Sequence, residues 1–156
     1  MKIEKLMQGN VKCCRVEDTV DTAAQLMWDF DIGALPVVDS QSRVVGMITD
    51  RDICMAAYTQ GRRLAEVPVE TAMARKVIAC HPDDDVVTAR VLMADNQIRR
   101  LPVIDRDGRL AGIITIEDLA YGAEQHIDDG ISGQEVAVTL AIICTPRNAP
   151  APLAQA

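Results

Sequence analysis

Two Thr-x-x-Asp pairs, Thr49 with Asp52 and Thr115 with Asp118, are the residues of this chain best suited to chemistry. At the start of a helix, a threonine hydroxyl and the unpaired backbone N–H groups beside it can hold an anionic oxygen. The same spacing is also that of a capping box, in which the two residues satisfy backbone donors of the first turn. On the sequence both readings stand. One cation, Arg51, adjoins the first pair in sequence. A guanidinium fork matches phosphate oxygens in shape and charge. Arg99 and Arg100 adjoin in a strand, where neighbours alternate, so one of the two faces away.

Other constellations are weaker. The five cysteines are Cys13, Cys14, Cys54, Cys80 and Cys144, an odd number without a C-x-x-C pair. Cys13, Cys80 and His81 match no zinc-ligand spacing. Reduced, idle thiols are the expectation. His81 precedes Pro82 and His126 lies in an acidic stretch, and neither belongs to a recognisable nucleophile–base set. With no Gly-rich phosphate loop either, the expectation is a protein without catalytic residues, metal or resident cofactor, and not an enzyme.

Composition narrows the partners. The chain has 156 residues, 49% of them hydrophobic and 3% aromatic, so one core built from aliphatic residues and methionine is expected. Its formal charge of −7 repels phosphate backbones, which argues against nucleic acid. Met1–Gly9 is charged and mixed, unlike a signal peptide. The longest apolar run, Val136–Cys144, is broken by Thr139 and falls far short of the roughly 20 residues that span a bilayer. A soluble cytoplasmic protein with no membrane partner is expected.

The elements that must position the two pairs come as a repeat. Shifted by 66 residues, the chain superposes on itself without a gap: Met7 on Met73, Val20 on Val86, Leu26-Met27 on Leu92-Met93, Leu35-Pro36-Val37 on Leu101-Pro102-Val103, Gly46 on Gly112, Thr49 on Thr115 and Asp52 on Asp118. Each copy reads as strand, helix, strand, strand, helix, with Asp18 or Asp84 capping the first helix. Asp39–Arg43 and Asp105–Arg109 read as hairpin turns. A unit of this size buries one face of its sheet, so two copies are expected to pack with pseudo-twofold symmetry and leave two equivalent clefts. The predicted class is α/β. The expected division is repeat 1 with the N-terminal segment over 1–66, repeat 2 over 67–122 and an extension over 123–156. Ala57–Ala72 reads as a connector in which Gly61 marks a turn. In the extension Ser132 and Glu135 open a helix over about 133–144, with a strand as the alternative. Val136, Leu140 and Ile143 are its expected inner face. Ala149–Ala156 reads as a disordered tail. Met27, Met47, Met73 and Met93 read as core fillers, Gly46 and Gly112 as sites of close strand packing, and Trp28 fits either core or an exposed interface.

These residues resemble the CBS domain family, called after cystathionine β-synthase. The resemblance rests on Ile32-Gly33-Ala34-Leu35-Pro36-Val37-Val38-Asp39 with Gly46-Met47-Ile48-Thr49-Asp50-Arg51-Asp52, and on Ile98-Arg99-Arg100-Leu101-Pro102-Val103-Ile104-Asp105 with Gly112-Ile113-Ile114-Thr115-Ile116-Glu117-Asp118. It runs from Met7 to about Tyr121 and has the look of a stand-alone tandem pair. The resemblance implies a homodimer and an adenosine-containing ligand such as AMP, ADP, ATP or S-adenosylmethionine. It implies an energy-sensing regulatory role toward a protein the sequence does not name.

The resemblance also implies two crossed sites. In each, the Asp carboxylate would accept from ribose hydroxyls, the Thr would hold a phosphate or ribose oxygen, and an apolar slot from the other repeat would take adenine. The first joins Thr49, Arg51 and Asp52 to Val77, Ile78, Ile98, Arg99 and Arg100. The second joins Thr115 and Asp118 to Val11, Lys12, Ile32, Gly33 and Ala34. The arginines make the first the better phosphate site, because Glu117 beside Asp118 would repel a phosphate. The absence of a hydroxyl at Gly33 and Ala34 leaves open a pair that takes no ligand and serves as a dimerisation or interaction domain.

Overall fold

The computed structural model describes residues 1–125 and 130–146. His126 and the predicted disordered run Ala149–Ala156 lie outside them. The first repeat consists of β1 (Cys14–Arg15), α1 (Val20–Asp29), β2 (Ala34–Val38), β3 (Val44–Thr49) and α2 (Asp50–Gln60). A short helix, α3 (Val69–Ala72), leads to α4 (Val86–Asn96), β4 (Arg100–Ile104), β5 (Leu110–Thr115) and α5 (Ile116–Gln125) of the second; α6 (Gly133–Cys144) follows. The predicted mixed α/β fold is therefore observed.

The hairpins superpose in register. Leu35 faces Ile48 and Val37 faces Gly46 in one, Leu101 faces Ile114 and Val103 faces Gly112 in the other. The leading strands differ. Cys14 and Arg15 pair in parallel with Val37 and Val38, and Val16 N–H extends the ladder to the Val38 carbonyl at 3.1 Å. In the second repeat only Cys80 bridges Val103. The position equivalent to Val16 is Pro82, which has no N–H to donate, so the ladder stops.

The helix caps lie one residue beyond the predicted Asp18 and Asp84. The N-caps are Thr19, without a side-chain bond, and Asp85, whose carboxylate accepts from Val87 N–H at 3.0 Å. Asp18 and Asp84 close the preceding turns instead, accepting from the N–H groups of Arg15 at 2.7 Å and His81 at 2.8 Å.

Reciprocal contacts establish the pseudo-twofold axis. Val44 N–H donates to the Gly108 carbonyl at 3.0 Å, and the equivalent Leu110 N–H to that of Ser42 at 3.2 Å. The segment ahead of each repeat docks on the other one. Gln8 bridges Ile113 of β5, and the equivalent Ala74 bridges Met47 of β3. Gly46 and Gly112 permit this: a Cβ on Gly112 would lie 2.8 Å from Met7 Sδ and 2.9 Å from the Gln8 carbonyl oxygen.

Core packing follows the exchange. Ile3 is buried with Val86, Met93, Leu101, Ile114 and Leu119, whereas Val67, Val69 and Met73 are buried with Val20, Met27, Leu35 and Ile48. The predicted connector is thus partly structural. α2 runs through Gln60 and ends at Gly61 in the left-handed conformation (φ 60°), and Val67 and Val69 are fully buried.

Helix α6 packs on α4 and α5. Ser132 and Glu135 form the predicted capping box, and the Gln97 amide donates to the carbonyls of Ile142 and Thr145 at its far end. The inner face differs from expectation. Val136 and Thr139 are buried, while Leu140 is 42% exposed. Thr139 tolerates burial because its hydroxyl donates to the Glu135 carbonyl at 2.8 Å. Among the described residues no helix is long and apolar enough to cross a membrane.

Candidate functional site

Both Thr-x-x-Asp pairs sit where a β-hairpin hands over to a helix. Thr49 ends β3 and is the N-cap of α2, and Thr115 ends β5 immediately before α5. Each is a closed capping box. Asp52 Oδ2 accepts from Thr49 N–H at 2.8 Å and Oγ1 at 2.7 Å, and Asp52 N–H donates back to Oγ1 at 3.1 Å. Asp118 repeats this with Thr115 at 2.8, 2.8 and 3.2 Å. The capping reading of the sequence is therefore real. It engages only one oxygen of each carboxylate.

The second oxygen distinguishes the two pairs. Asp118 Oδ1 accepts from the side-chain amide of Gln8 at 3.0 Å. The residue equivalent to Gln8 is Ala74, which has no donor side chain. No hydrogen bond reaches Asp52 Oδ1 among the described residues.

The flanking residues are placed by the exchanged segments. The Ala74–Met47 bridge docks the chain three residues ahead of Val77 and Ile78 on the strand that ends at Thr49, and the Gln8–Ile113 bridge docks the chain three residues ahead of Val11 and Lys12 on the strand that ends at Thr115. Val77, Ile78 and Val11 are half-buried, and Ile78 and Ile98 pack on the second core while Ile32 packs on the first. Lys12 Nζ lies 4.3 Å from the centre of the Phe30 ring, a cation–π contact.

Arg99 lies just ahead of β4, not in the strand as expected, and is exposed, while Arg100 opens β4 and is half-buried. Arg100 reaches the first repeat: a Cβ on Gly33 would lie 3.8 Å from Arg100 Nη1 and 3.2 Å from Asp50 Oδ2. Gly33, predicted for one cleft, and Arg100, predicted for the other, thus meet at the seam. Arg51 is exposed, and Ala34 is buried opposite Thr49. A depression of about 560 Å³ adjoins this point, lined by Met27, Trp28, Asp31, Ile32, Gly33 and Asp50, with neither Asp52 nor Asp118 in its walls.

Sequence reasoning missed Gln8 and Asp50. Gln8 was findable: the 66-residue offset sets it against Ala74, a donor against none, directly after the methionine that meets Gly112. Among the described residues no group of three or more His, Cys, Asp or Glu is placed to hold a metal ion.

Two hairpin–helix units around a pseudo-twofold axis, each receiving the lead-in segment of the other, define a tandem-repeat α/β protein. The chain belongs to the CBS domain family, whose pattern matches residues 3–58 and 66–123. It is 37% identical over 118 residues to the CBS domain-containing protein YhcV of Bacillus subtilis, covering 76% of this chain and 82% of that one. Among solved structures, it is similar to the CBS domain pair of protein MJ0100 in complex with 5′-methylthioadenosine and S-adenosyl-L-methionine. That likeness has a TM-score of 0.71 and 27% identity over 78% of this chain and 94% of that one. It is similar also to CBSX2 in complex with AMP, with a TM-score of 0.71 and 25% identity over 80% and 96% of the two chains.

Proposed function

We propose that this CBS pair is a regulatory module that binds an adenosine-containing nucleotide, with the Thr49–Asp52 cleft as its principal site. The observation that carries this is the free acceptor at Asp52 Oδ1, on a carboxylate whose other oxygen is held rigidly by Thr49. A fixed carboxylate with a lone pair turned loose is suited to a ribose hydroxyl. Val77, Ile78 and Ile98 supply apolar surface for a base, and Arg51, Arg99 and Arg100 supply cations for a phosphate. The adenosine ligands in the MJ0100 and CBSX2 structures support the ligand class. Signalling to a protein partner requires that the ligand favour one arrangement of the repeats or of a homodimer over another.

Calorimetric titration with AMP, ATP and S-adenosylmethionine tests this reading. Saturable binding lost in Asp52→Ala and kept in Asp118→Ala supports it. Equal loss in both variants, or loss only in Asp118→Ala, overturns the ranking of the clefts. A well-folded protein with neither heat nor a melting shift for any of the three overturns the ligand.

A second reading, an interaction domain that takes no ligand, is favoured by one feature. α1 and α2 carry Trp28 at 85% exposure and Tyr58 at 82%, with Met55 also exposed on α2, whereas α6 packs on the matching helices of the second repeat and leaves Tyr121 exposed there. Large aromatics so exposed suit a protein interface, including that of a homodimer. Sedimentation of the Trp28→Ala, Tyr58→Ala double variant tests it: a protein monomeric with or without the substitutions overturns the homodimer.

A further inference from the structure

The two Thr-x-x-Asp pairs lie beside equivalent backbone bridges and have different side-chain neighbours. In both, a lead-in segment pairs with the second hairpin strand of the opposite repeat, β5 or β3, through two hydrogen bonds. For Gln8 and Ile113 these are 2.9 and 3.0 Å, and for Ala74 and Met47 they are 3.0 and 2.8 Å. In both, a methionine just ahead of the bridge lies over a strand glycine. At the bridging residue itself the two segments carry different side chains. Gln8 projects a carboxamide whose Nε2 donates to Asp118 Oδ1 at 3.0 Å; Ala74 projects a methyl group. With Thr115 on Oδ2 and Gln8 on Oδ1, both oxygens of Asp118 are engaged from within the chain.

We infer that Gln8 is a specificity-determining residue that occupies the Asp118 cleft and makes the pair load one ligand before the other. The inference rests on the nucleotide reading above and states which cleft fills and why. The Gln8 amide donates to the oxygen a ribose hydroxyl would use, so a nucleoside entering the Asp118 cleft must first break that hydrogen bond. A nucleoside entering the Asp52 cleft breaks none. A hydrogen bond to a charged acceptor is worth enough to separate the two affinities by about tenfold. The backbone bridge to Ile113 does not involve the carboxamide, so truncating the side chain removes the occupant and leaves the segment docked.

The experiment is AMP titration by calorimetry of the unchanged protein, Gln8→Ala, and the mirror variant Ala74→Gln. The expected results are one strong site per chain in the unchanged protein and a second, about tenfold tightened, in Gln8→Ala. That second site disappears on adding Asp118→Ala. Ala74→Gln weakens the first site about tenfold. Two sites of equal affinity in the unchanged protein, or no change in the second site on Gln8→Ala, overturn the role of Gln8 while leaving the nucleotide reading intact. Absence of AMP binding in all three proteins, each with a cooperative melt, overturns both. As a readout independent of stoichiometry, the side-chain amide NMR signals of Gln8 move only in the second phase of the titration. Movement in the first phase overturns the order of loading.

Discussion

Arg43 and Arg109, the same position in the two repeats, face one another across a single antiparallel bridge on the pseudo-twofold axis. Two like charges meet there because each is drawn back to its own turn. Arg43 Nε lies 2.9 Å from Asp39 Oδ2, and Arg109 Nη1 lies 3.4 Å from Asp107 Oδ2.

Asp39 therefore links the axis to pH. Its carboxyl is held below the usual 3.8, chiefly by the hydrogen bond from Arg43 N–H, with the Arg43 guanidinium adding to the effect. A lowered carboxyl contributes stability above its ordinary pKa and loses it as pH falls through the folded value. Melting temperatures measured from pH 6 to pH 2 are expected to fall less steeply in Asp39→Asn than in the unchanged protein. An identical slope would show that the turn contributes nothing to acid sensitivity.

The turn beside it holds a correctable strain. Ser42 has φ 62°, and its counterpart Gly108 has φ 79°. A non-glycine residue in the left-handed region costs about 1–2 kcal/mol, against roughly 0.5–1 kcal/mol for the greater freedom glycine loses on folding. Ser42→Gly is expected to stabilise the protein by about 0.5 kcal/mol in urea denaturation. A destabilised variant would mean that the serine side chain contributes to the turn.

The exchange of lead-in segments depends on two glycines. A methyl group at Gly46 would lie 2.6 Å from Met73 Sδ and 3.0 Å from the Ala74 carbonyl oxygen; at Gly112 the equivalent contacts are with Met7 and Gln8. Gly112→Ala is expected to cost about 1–3 kcal/mol, as overpacking does. It also speeds amide exchange at Gln8 and Ile113, whose N–H groups bond to each other's carbonyls. Gly46→Ala should do the same at Met47 and Ala74. Unchanged exchange in either variant would show that the segment does not rely on the close approach.

The thiols divide by burial. Cys14 and Cys80 are equivalent, nearly fully buried, and each lies about 4 Å from a proline carbonyl, of Pro36 and Pro102. Burial pushes both thiols up to about 12. Cys54 and Cys144 are exposed. Iodoacetamide at pH 8 should modify Cys54 and Cys144 while sparing Cys14 and Cys80 until urea is added, as read by peptide mass spectrometry. A thiol raised in the folded state favours folding below its ordinary value near 9 and loses that contribution as pH rises toward 12. Stability should accordingly fall above pH 9, and less so in Cys14→Ala measured relative to its own value at pH 7.

Much of the architecture was legible because one offset aligned residues that are constrained for different reasons. Leu35 and Leu101 are core, Gly46 and Gly112 allow close approach, and Thr49 and Thr115 are caps. Helix starts were misread by one residue because Asp18, Thr19, Asp84 and Asp85 can all cap, and local pattern does not say which closes the preceding turn. The face of α6 was misread because Thr139 looked too polar to bury, yet a backbone acceptor one turn earlier satisfies its hydroxyl.

The sequence by itself determined two copies of one unit, their strands and turns, and the carboxylates at the start of each second helix, since these depend on neighbours within a few residues. Only the tertiary structure decided that each lead-in segment crosses to the opposite repeat, and so that Gln8 reaches Asp118 across a sequence separation of 110 while Ala74 leaves Asp52 open. Such a contact depends on how two hydrophobic faces close on each other, and no local periodicity records where a side chain lands once they have.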